Sequence, residues 1–269
     1  MKNEKLPALS FLDVETTGLS AIYNDRICEI GVLRLDPDGT ITQWESLINP
    51  CRFLSPGAAA VNGITNAMVE NAPKFCEVAD KLLDMITGSV LVLHNAPFDL
   101  SFINMEFENC GIKMPDVKVI DTLIVARQHF NFPSNTLGNI AQHFNIEVSG
   151  KHRALADAET THKIFLRIWE ELSKRGIADF DKISTSNCVY PKRTKEKKEL
   201  PPIMDEALRL KKKVFIKYES SSGAATSRTV MPLEIVSDFD YQYLLAFCHT
   251  KKEKRIFRLD RIKEMKILP

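Results

Sequence analysis

The sequence predicts an α/β protein built on a mixed sheet, followed by a separate small β domain. Three observations carry that reading. From Ala8 to about Lys174, short apolar runs alternate with amphipathic stretches of helical period. Residues 187–200 then read NCVYPKRTKEKKEL and end at Pro201-Pro202, which is the composition of a linker. After a short helical segment at 203–212, the runs VFIKY, TVMPLEIV, YQYLLAFC and RIFRLDRI follow one another, separated by Ser/Gly-rich or Lys-rich turns. The expected boundaries are a domain over 1–185, a basic linker over 186–201 and a β domain over 202–269.

In chain order, LSFLDV is an apolar strand and ICEIGVLRLD a second. The DPDGT turn sends the chain back into ITQWESLI, which makes a three-stranded meander. Helical periodicity predicts helices at 75–87, 98–109, 121–130, 136–144 and 154–173, with SVLVLHN as a buried strand between the first two. No internal repeat is present.

Of the 269 residues, 44% are hydrophobic and 26% charged, which excludes disorder as the main state. Lys plus Arg (36) nearly balances Asp plus Glu (35), yet the charges are segregated. Residues 200–269 hold 14 basic and 9 acidic side chains, which leaves 22 against 26 for the rest. An acidic body with a basic tail suits a protein that handles phosphates. The six cysteines at 28, 51, 76, 110, 188 and 248 form no C-x-x-C pair or Cys/His quartet, so neither structural zinc nor a disulfide framework is expected. The start, MKNEKLPALSFLDVETTG, carries charges where a secretory segment would be apolar, and no apolar run reaches the roughly 18 residues that cross a bilayer. The expectation is a soluble protein of the reducing cytoplasm with no membrane partner.

Three short motifs carry chemistry. Asp13 and Glu15 lie two apart at a strand end, so both carboxylates point to one face, and Thr16-Thr17-Gly18 turns the chain directly afterwards. Two like charges held that close call for a cation. In HNAPFD (94–99), a strand gives way to a helix with Pro97 near its first turn and Asp99 just inside it. In HRALADA (152–158), His152 approaches a helix on which Asp157 lies five residues later. Taken singly, Asp99 and Asp157 are what a helix N-terminus favours, and His152 is an ordinary loop residue. Their order and spacing together set those readings aside.

With these motifs, residues 8 to about 174 resemble the DEDDh family of 3'-5' exonucleases. FLDVETTGL, HNAPFDLSFI, IDTLIVAR and HRALADA match its pattern in order, similar to the proofreading exonucleases of DNA polymerase III epsilon and PolC. The resemblance implies an RNase H-like fold in which Asp13, Glu15, Asp99 and Asp157 converge, with His152 as the base. It also implies two Mg2+ ions, replaceable by Mn2+, and release of nucleoside 5'-monophosphates from a 3' end. Hard oxygen ligands fit such cations, and paired ions would keep four crowded carboxylates ionised. An imidazole with an ordinary pKa near 6.5 can accept a proton at neutral pH. One position departs from the family: Asn62, in AAAVNGIT, stands where many relatives have a His that touches the terminal nucleotide. Asn62 and Thr16 remain available to that nucleotide, and Asp121 reads as a helix N-cap.

Residues 203–269 resemble a WYL domain, a small SH3-like or Sm-like β fold, with Gln242 in place of the name-giving Trp. The resemblance implies a nucleic-acid or nucleotide-like ligand on Arg228, Tyr243, Arg255, Arg258 and Arg261. Strand alternation puts Phe257 and Leu259 on one face and Arg258 and Asp260 on the other. Guanidinium groups suit phosphates and a Tyr can stack a base; equally, Arg258 and Asp260 can simply pair. The expected partner is single-stranded or 3'-ended nucleic acid, DNA before RNA. An RNA-trimming exonuclease and a ligand-responsive binding module with little nuclease activity are the competing readings.

Overall fold

The structure, a computed structural model, describes residues 7–21, 24–148, 150, 152–186, 202–219, 225–238 and 241–268. Residues 187–200, expected as linker, lie outside the described residues. The chain divides into two compact units, Met1–Tyr190 and Pro191–Pro269.

The first unit is a six-stranded mixed sheet with helices on both faces. The meander forms as its sequence predicts: β1 (Leu9–Thr16), β2 (Ile27–Leu35) and β3 (Ile41–Leu47) are antiparallel neighbours. Then come α1 (Pro56–Asn62), α2 (Asn66–Val69), α3 (Phe75–Ile86), β4 (Val90–Leu93), α4 (Ala96–Asn109), β5 (Lys118–Asp121), α5 (Thr122–His129), α6 (Leu137–His143), α7 (Ala154–Lys174), α8 (Phe180–Ile183) and β6 (Thr185–Ser186). The sheet order is β3-β2-β1-β4-β5-β6, with β1, β4 and β5 parallel. Short α1 and α2 and the four-residue β5 escape periodicity because none is long enough to show a repeat.

The two faces of the sheet bury different cores. Leu12, Val14, Ile30 and Val32 pack with Phe75, Leu82, Phe102, Ile103 and Phe107 of α3 and α4. Leu9, Phe11 and Leu33 pack instead with Ile164, Phe165, Ile168 and Leu172 of α7. Along this second face β1 reads Leu9, Phe11, Asp13, Glu15, so the strand turns from apolar to acidic beneath the start of α7. Gly31 lies opposite Asp13 in the ladder. A Cβ there would sit 2.1 Å from the Leu155 amide nitrogen, so only glycine lets α7 come down on the sheet at this point.

The cysteines correct one expectation. Cys76, in the first turn of α3, and Cys110, the C-cap of α4, form a disulfide with a Cα–Cα separation of 5.5 Å. The pairing follows from packing: Phe75 and Phe107 meet edge to face at 5.3 Å and bring the helices side by side. No helix among the described residues is long and apolar enough to cross a membrane.

The second unit holds α9 (Pro202–Arg209) and the strands β7 (Val214–Glu219), β8 (Ala225–Asp238), β9 (Tyr241–Cys248), β10 (Glu253–Arg258) and β11 (Ile262–Ile267). They form an antiparallel sheet ordered β10-β9-β8-β7-β11 around Met204, Val214, Ile216, Val230, Leu244, Ala246 and Phe257. RIFRLDRI is not one strand. A 3-10 turn at Leu259–Arg261 divides β10 from β11, yet Leu259 still packs on the core that holds Phe257, while Arg258 and Asp260 pair with each other.

Candidate active site

Three separate segments deliver the predicted carboxylates to one place. Asp13 and Glu15 come from the end of β1, Asp99 from the first turn of α4, and Asp157 from the first turn of α7. Donor atoms of Glu15, His152 and Asp157 all lie within 4.8 Å of one another. The pairing of β1 with β4 ends at Phe11, and further up the strand the Val14 N–H donates to Asp99 Oδ1 at 3.1 Å. That bond ties the buried Asp99 to the strand that carries Asp13.

Each acidic segment is anchored locally. Asp121 caps α5 as its position predicts, donated to by Leu123 N–H at 2.9 Å. It also accepts the Asn95 and Ala96 N–H groups at 3.0 and 3.1 Å, and so fixes the turn into α4, where Asn95 is left-handed at φ 71°. His94 is clamped between Thr122 Oγ1 and Asn135 O, and burial lowers its pKa to about 4, which keeps the ring neutral. His152 is exposed and left-handed at φ 61°, and its N–H donates to Asp157 Oδ2 at 3.1 Å.

The cluster carries more negative charge than its surroundings compensate. Burial, then the charges of Asp99, Asp157 and Glu15, push the Asp13 carboxyl well above its ordinary value. Asp99 is raised mainly by burial. Glu15 is raised to about 7 by burial and by Asp157, against a lowering hydrogen bond from Asn62. A divalent cation among them would offset the repulsion and favour the ionised form of all three groups. The donors are carboxylate oxygens with one imidazole and no thiolate, which suits a hard divalent ion such as Mg2+ or Mn2+.

Asn62 has a different setting from the one expected. It is 5% exposed, its Oδ1 accepts the Ile64 N–H at 3.0 Å, and its amide faces Thr16 O, Cys28 Sγ and Glu15. The amide is turned inward on Glu15 instead of outward. Thr16 is also buried, and its Oγ1 donates to Gly18 O at 2.6 Å. Sequence reasoning missed Glu29, a fully buried carboxylate directly opposite Glu15 in the ladder. Its signal was a charge inside the apolar run ICEIGV, which burial tolerates only with a partner.

In the second unit, Tyr243 and Arg258 are direct partners across β9 and β10, while Arg255 faces Ala246 and Arg228 faces Ile216 in their ladders. Arg258 is held bidentate by Asp260 at 2.7 Å on both oxygens, and its N–H donates to Tyr218 Oη. Arg228 hydrogen-bonds the buried Cys248, and Arg261 lies in the 3-10 turn.

These pKa shifts predict how the ion-free protein responds to pH. A carboxyl whose folded pKa is raised holds its proton more tightly in the folded state. Stability is therefore lost as pH rises through the folded value, and for Glu15 that loss runs from its unfolded range up to about 7. His94, depressed to about 4, works in the opposite sense but only below its unfolded value near 6.5. Between pH 6.5 and 8 the carboxylates therefore dominate. In EDTA, Tm should fall across this window, and Mg2+ should raise Tm more at pH 8 than at pH 6.5. A flat profile in EDTA, equal to that in Mg2+, would contradict the charge crowding.

Comparison with known proteins gives the family. Residues 10–165 match the RNase_T family, described as "Exonuclease", and residues 202–267 match the WYL domain. The chain is 38% identical to DNA polymerase III subunit epsilon of Treponema pallidum over 161 residues, covering 59% of this chain and 74% of that protein. It is 36% identical to the PolC-type DNA polymerase III of Caldanaerobacter subterraneus subsp. tengcongensis over 190 residues, covering 70% of this chain but only 13% of that much longer polymerase. Among solved structures, Exonuclease X in complex with 5' overhanging duplex DNA superposes with a TM-score of 0.50 at 26% identity, covering 64% of this chain and 98% of that one. By these matches the chain belongs to the RNase_T family of exonucleases, with a WYL domain over residues 202–267.

Proposed function

We propose that this chain is a metal-dependent 3'-5' exonuclease that removes nucleoside 5'-monophosphates from the 3' end of DNA, single-stranded by preference, with the WYL domain engaging nucleic acid or a nucleotide-like ligand. The carrying observation is the gathering of Glu15, Asp157 and His152 within 4.8 Å, beside Asp13 and Asp99, from three segments far apart in the chain. Asp13, Glu15, Asp99 and Asp157 would hold the divalent ions, two in this reading. Such ions supply electrophilic stabilisation of the phosphodiester and of its leaving oxygen.

The chain's own residues do the rest. His152 is exposed at the mouth of the cluster, where an imidazole nitrogen can take the proton of the attacking water. Its backbone bond to Asp157 keeps the ring beside the carboxylates. Asn62 favours the ionised form of Glu15 by hydrogen bonding to it, and so acts on the cation site from inside. The Thr16 backbone lies at the end of the same strand, in reach of a terminal nucleotide held there.

An SH3-like or Sm-like fold for the WYL domain is the finer reading of its architecture. It is supported by a short helix ahead of five antiparallel strands, with the first strand, β7, beside the last, β11. Tyr243 beside Arg258 offers stacking and a guanidinium on one ladder rung, with Arg228, Arg255 and Arg261 as further cations. A phosphate would have to displace Asp260 from Arg258, so that contact should weaken steeply with salt.

The test is digestion of matched single-stranded DNA, duplex DNA and RNA with Mg2+, Mn2+ or EDTA, using the full chain and a form lacking 200–269. The expected result is release of 5'-monophosphates from DNA with either cation and none in EDTA. The truncated form should show a higher KM and a weaker salt dependence. Rates and salt dependence unchanged by truncation would remove the WYL domain from substrate capture, and faster release from RNA would make the enzyme a ribonuclease.

A further inference from the structure

We propose that Glu29 and Arg153 form a positioning pair for His152, which sets the rate of the reaction through the geometry of the α7 start. The inference rests on the exonuclease reading of the site. Neither residue belongs to the carboxylate set, and 124 positions separate them. Arg153 Nε donates to Glu29 Oε1 and Oε2 at 2.9 and 3.1 Å, and Nη2 donates to Oε1 at 2.5 Å. The same carboxylate accepts the Ala154 N–H at 2.9 Å through Oε2. One buried group on β2 thus holds both the N-cap side chain and the first helical amide of α7.

This clamp lies immediately after His152. His152 stands in the left-handed region at φ 61°, a conformation that a non-glycine residue keeps where the surroundings impose it. On one side, His152 N–H is bonded to Asp157; on the other, its neighbour is fixed to the sheet by three guanidinium contacts. Gly31 removes the last freedom, since the backbone at Ala154–Leu155 rests directly on it. Glu29 in turn needs Arg153. It is buried, stands opposite Glu15, and without a cation would be an unpaired charge beside other carboxylates. Arg153 keeps its outer edge in an open cavity of about 510 Å³, lined also by Glu45, Leu47, Met68 and Asn71, so the guanidinium site is reachable from solvent.

The experiment combines a kinetic cycle with a readout that does not need activity. Arg153→Ala should lower kcat by about 10- to 100-fold with KM nearly unchanged, the scale of a small misplacement of a reacting group. In a His152→Ala background the same change should cost almost nothing further, because the pair acts through that ring. Millimolar guanidinium, entering by the cavity, should restore part of the Arg153→Ala rate and none of the double variant's. Amide exchange, followed by NMR, should quicken at least about tenfold at His152 and Ala154 in Arg153→Ala while the α7 interior stays protected. Losses that multiply in the double variant, or unchanged exchange at both amides, would overturn the proposal. If the wild type released no nucleotide at all, the exonuclease reading would fail, and the exchange result would still decide whether the pair positions His152.

Discussion

Alanine at Asp13, or at Asp157, is expected to reduce nucleotide release by at least about 10³-fold, which corresponds to losing several kcal/mol of transition-state charge stabilisation. The reason is geometric. Asp13 lies on the strand face that α7 covers, and its charge is opposed by Asp99, Asp157 and Glu15 together. Removing one member leaves a set too small to hold the same cations. The fold should not suffer. Asp13 makes its neighbours harder to ionise, so its loss relieves repulsion, and Asp13→Ala in EDTA should melt at or above the wild-type Tm. Activity within tenfold of wild type in either variant would remove these residues from the site. A collapsed Tm would show that they serve the fold.

His152→Ala should behave differently. The ring is exposed and its backbone makes the bond to Asp157, so alanine keeps that N–H and leaves the carboxylates in place. The expected loss is about 10²- to 10⁴-fold in kcat, the usual cost of a positioned base. The Mg2+ concentration for half-maximal rate should shift by less than about threefold, because hard oxygen ligands hold such an ion and one imidazole adds little beside four carboxylates. The two variants therefore separate binding of ions from proton transfer. A His152→Ala enzyme with unchanged kcat would move the base elsewhere, and one that no longer responds to Mg2+ would make His152 a ligand first.

Much of the site is legible in the sequence because its geometry is local. Parity along β1 places Leu9, Phe11, Asp13 and Glu15 on one face, and helical spacing places Asp157 on the stripe of Ala154, Ala158 and Thr161 that α7 buries. Proline and N-terminal spacing place Asp99 in the first turn of α4. What escapes are pairings across long separations. The run ICEIGV signals that Glu29 needs a partner, but nothing in the spacing points to Arg153, and nothing points from Arg26 to the buried Glu106, joined to it at 2.7 and 2.5 Å. Cys76 and Cys110 give no spacing signal, because their bond depends on how α3 and α4 pack. Asn62, by its place in the AAAVNGIT segment, suggests a contact with the terminal nucleotide, and the structure adds that its Oδ1 accepts the Ile64 N–H while its amide faces Glu15. In the second unit, the alternation of RIFRLDRI hides a 3-10 turn, because three residues are too few to break a period.

Anomalous diffraction at the manganese edge, from crystals grown with Mn2+, tests the central claim most directly. The account predicts peaks within coordinating distance of the Asp13, Glu15, Asp99 and Asp157 carboxylates, lost in Asp13→Ala. Strong peaks only at other sites, or none at a Mn2+ concentration that supports nucleotide release, would contradict it.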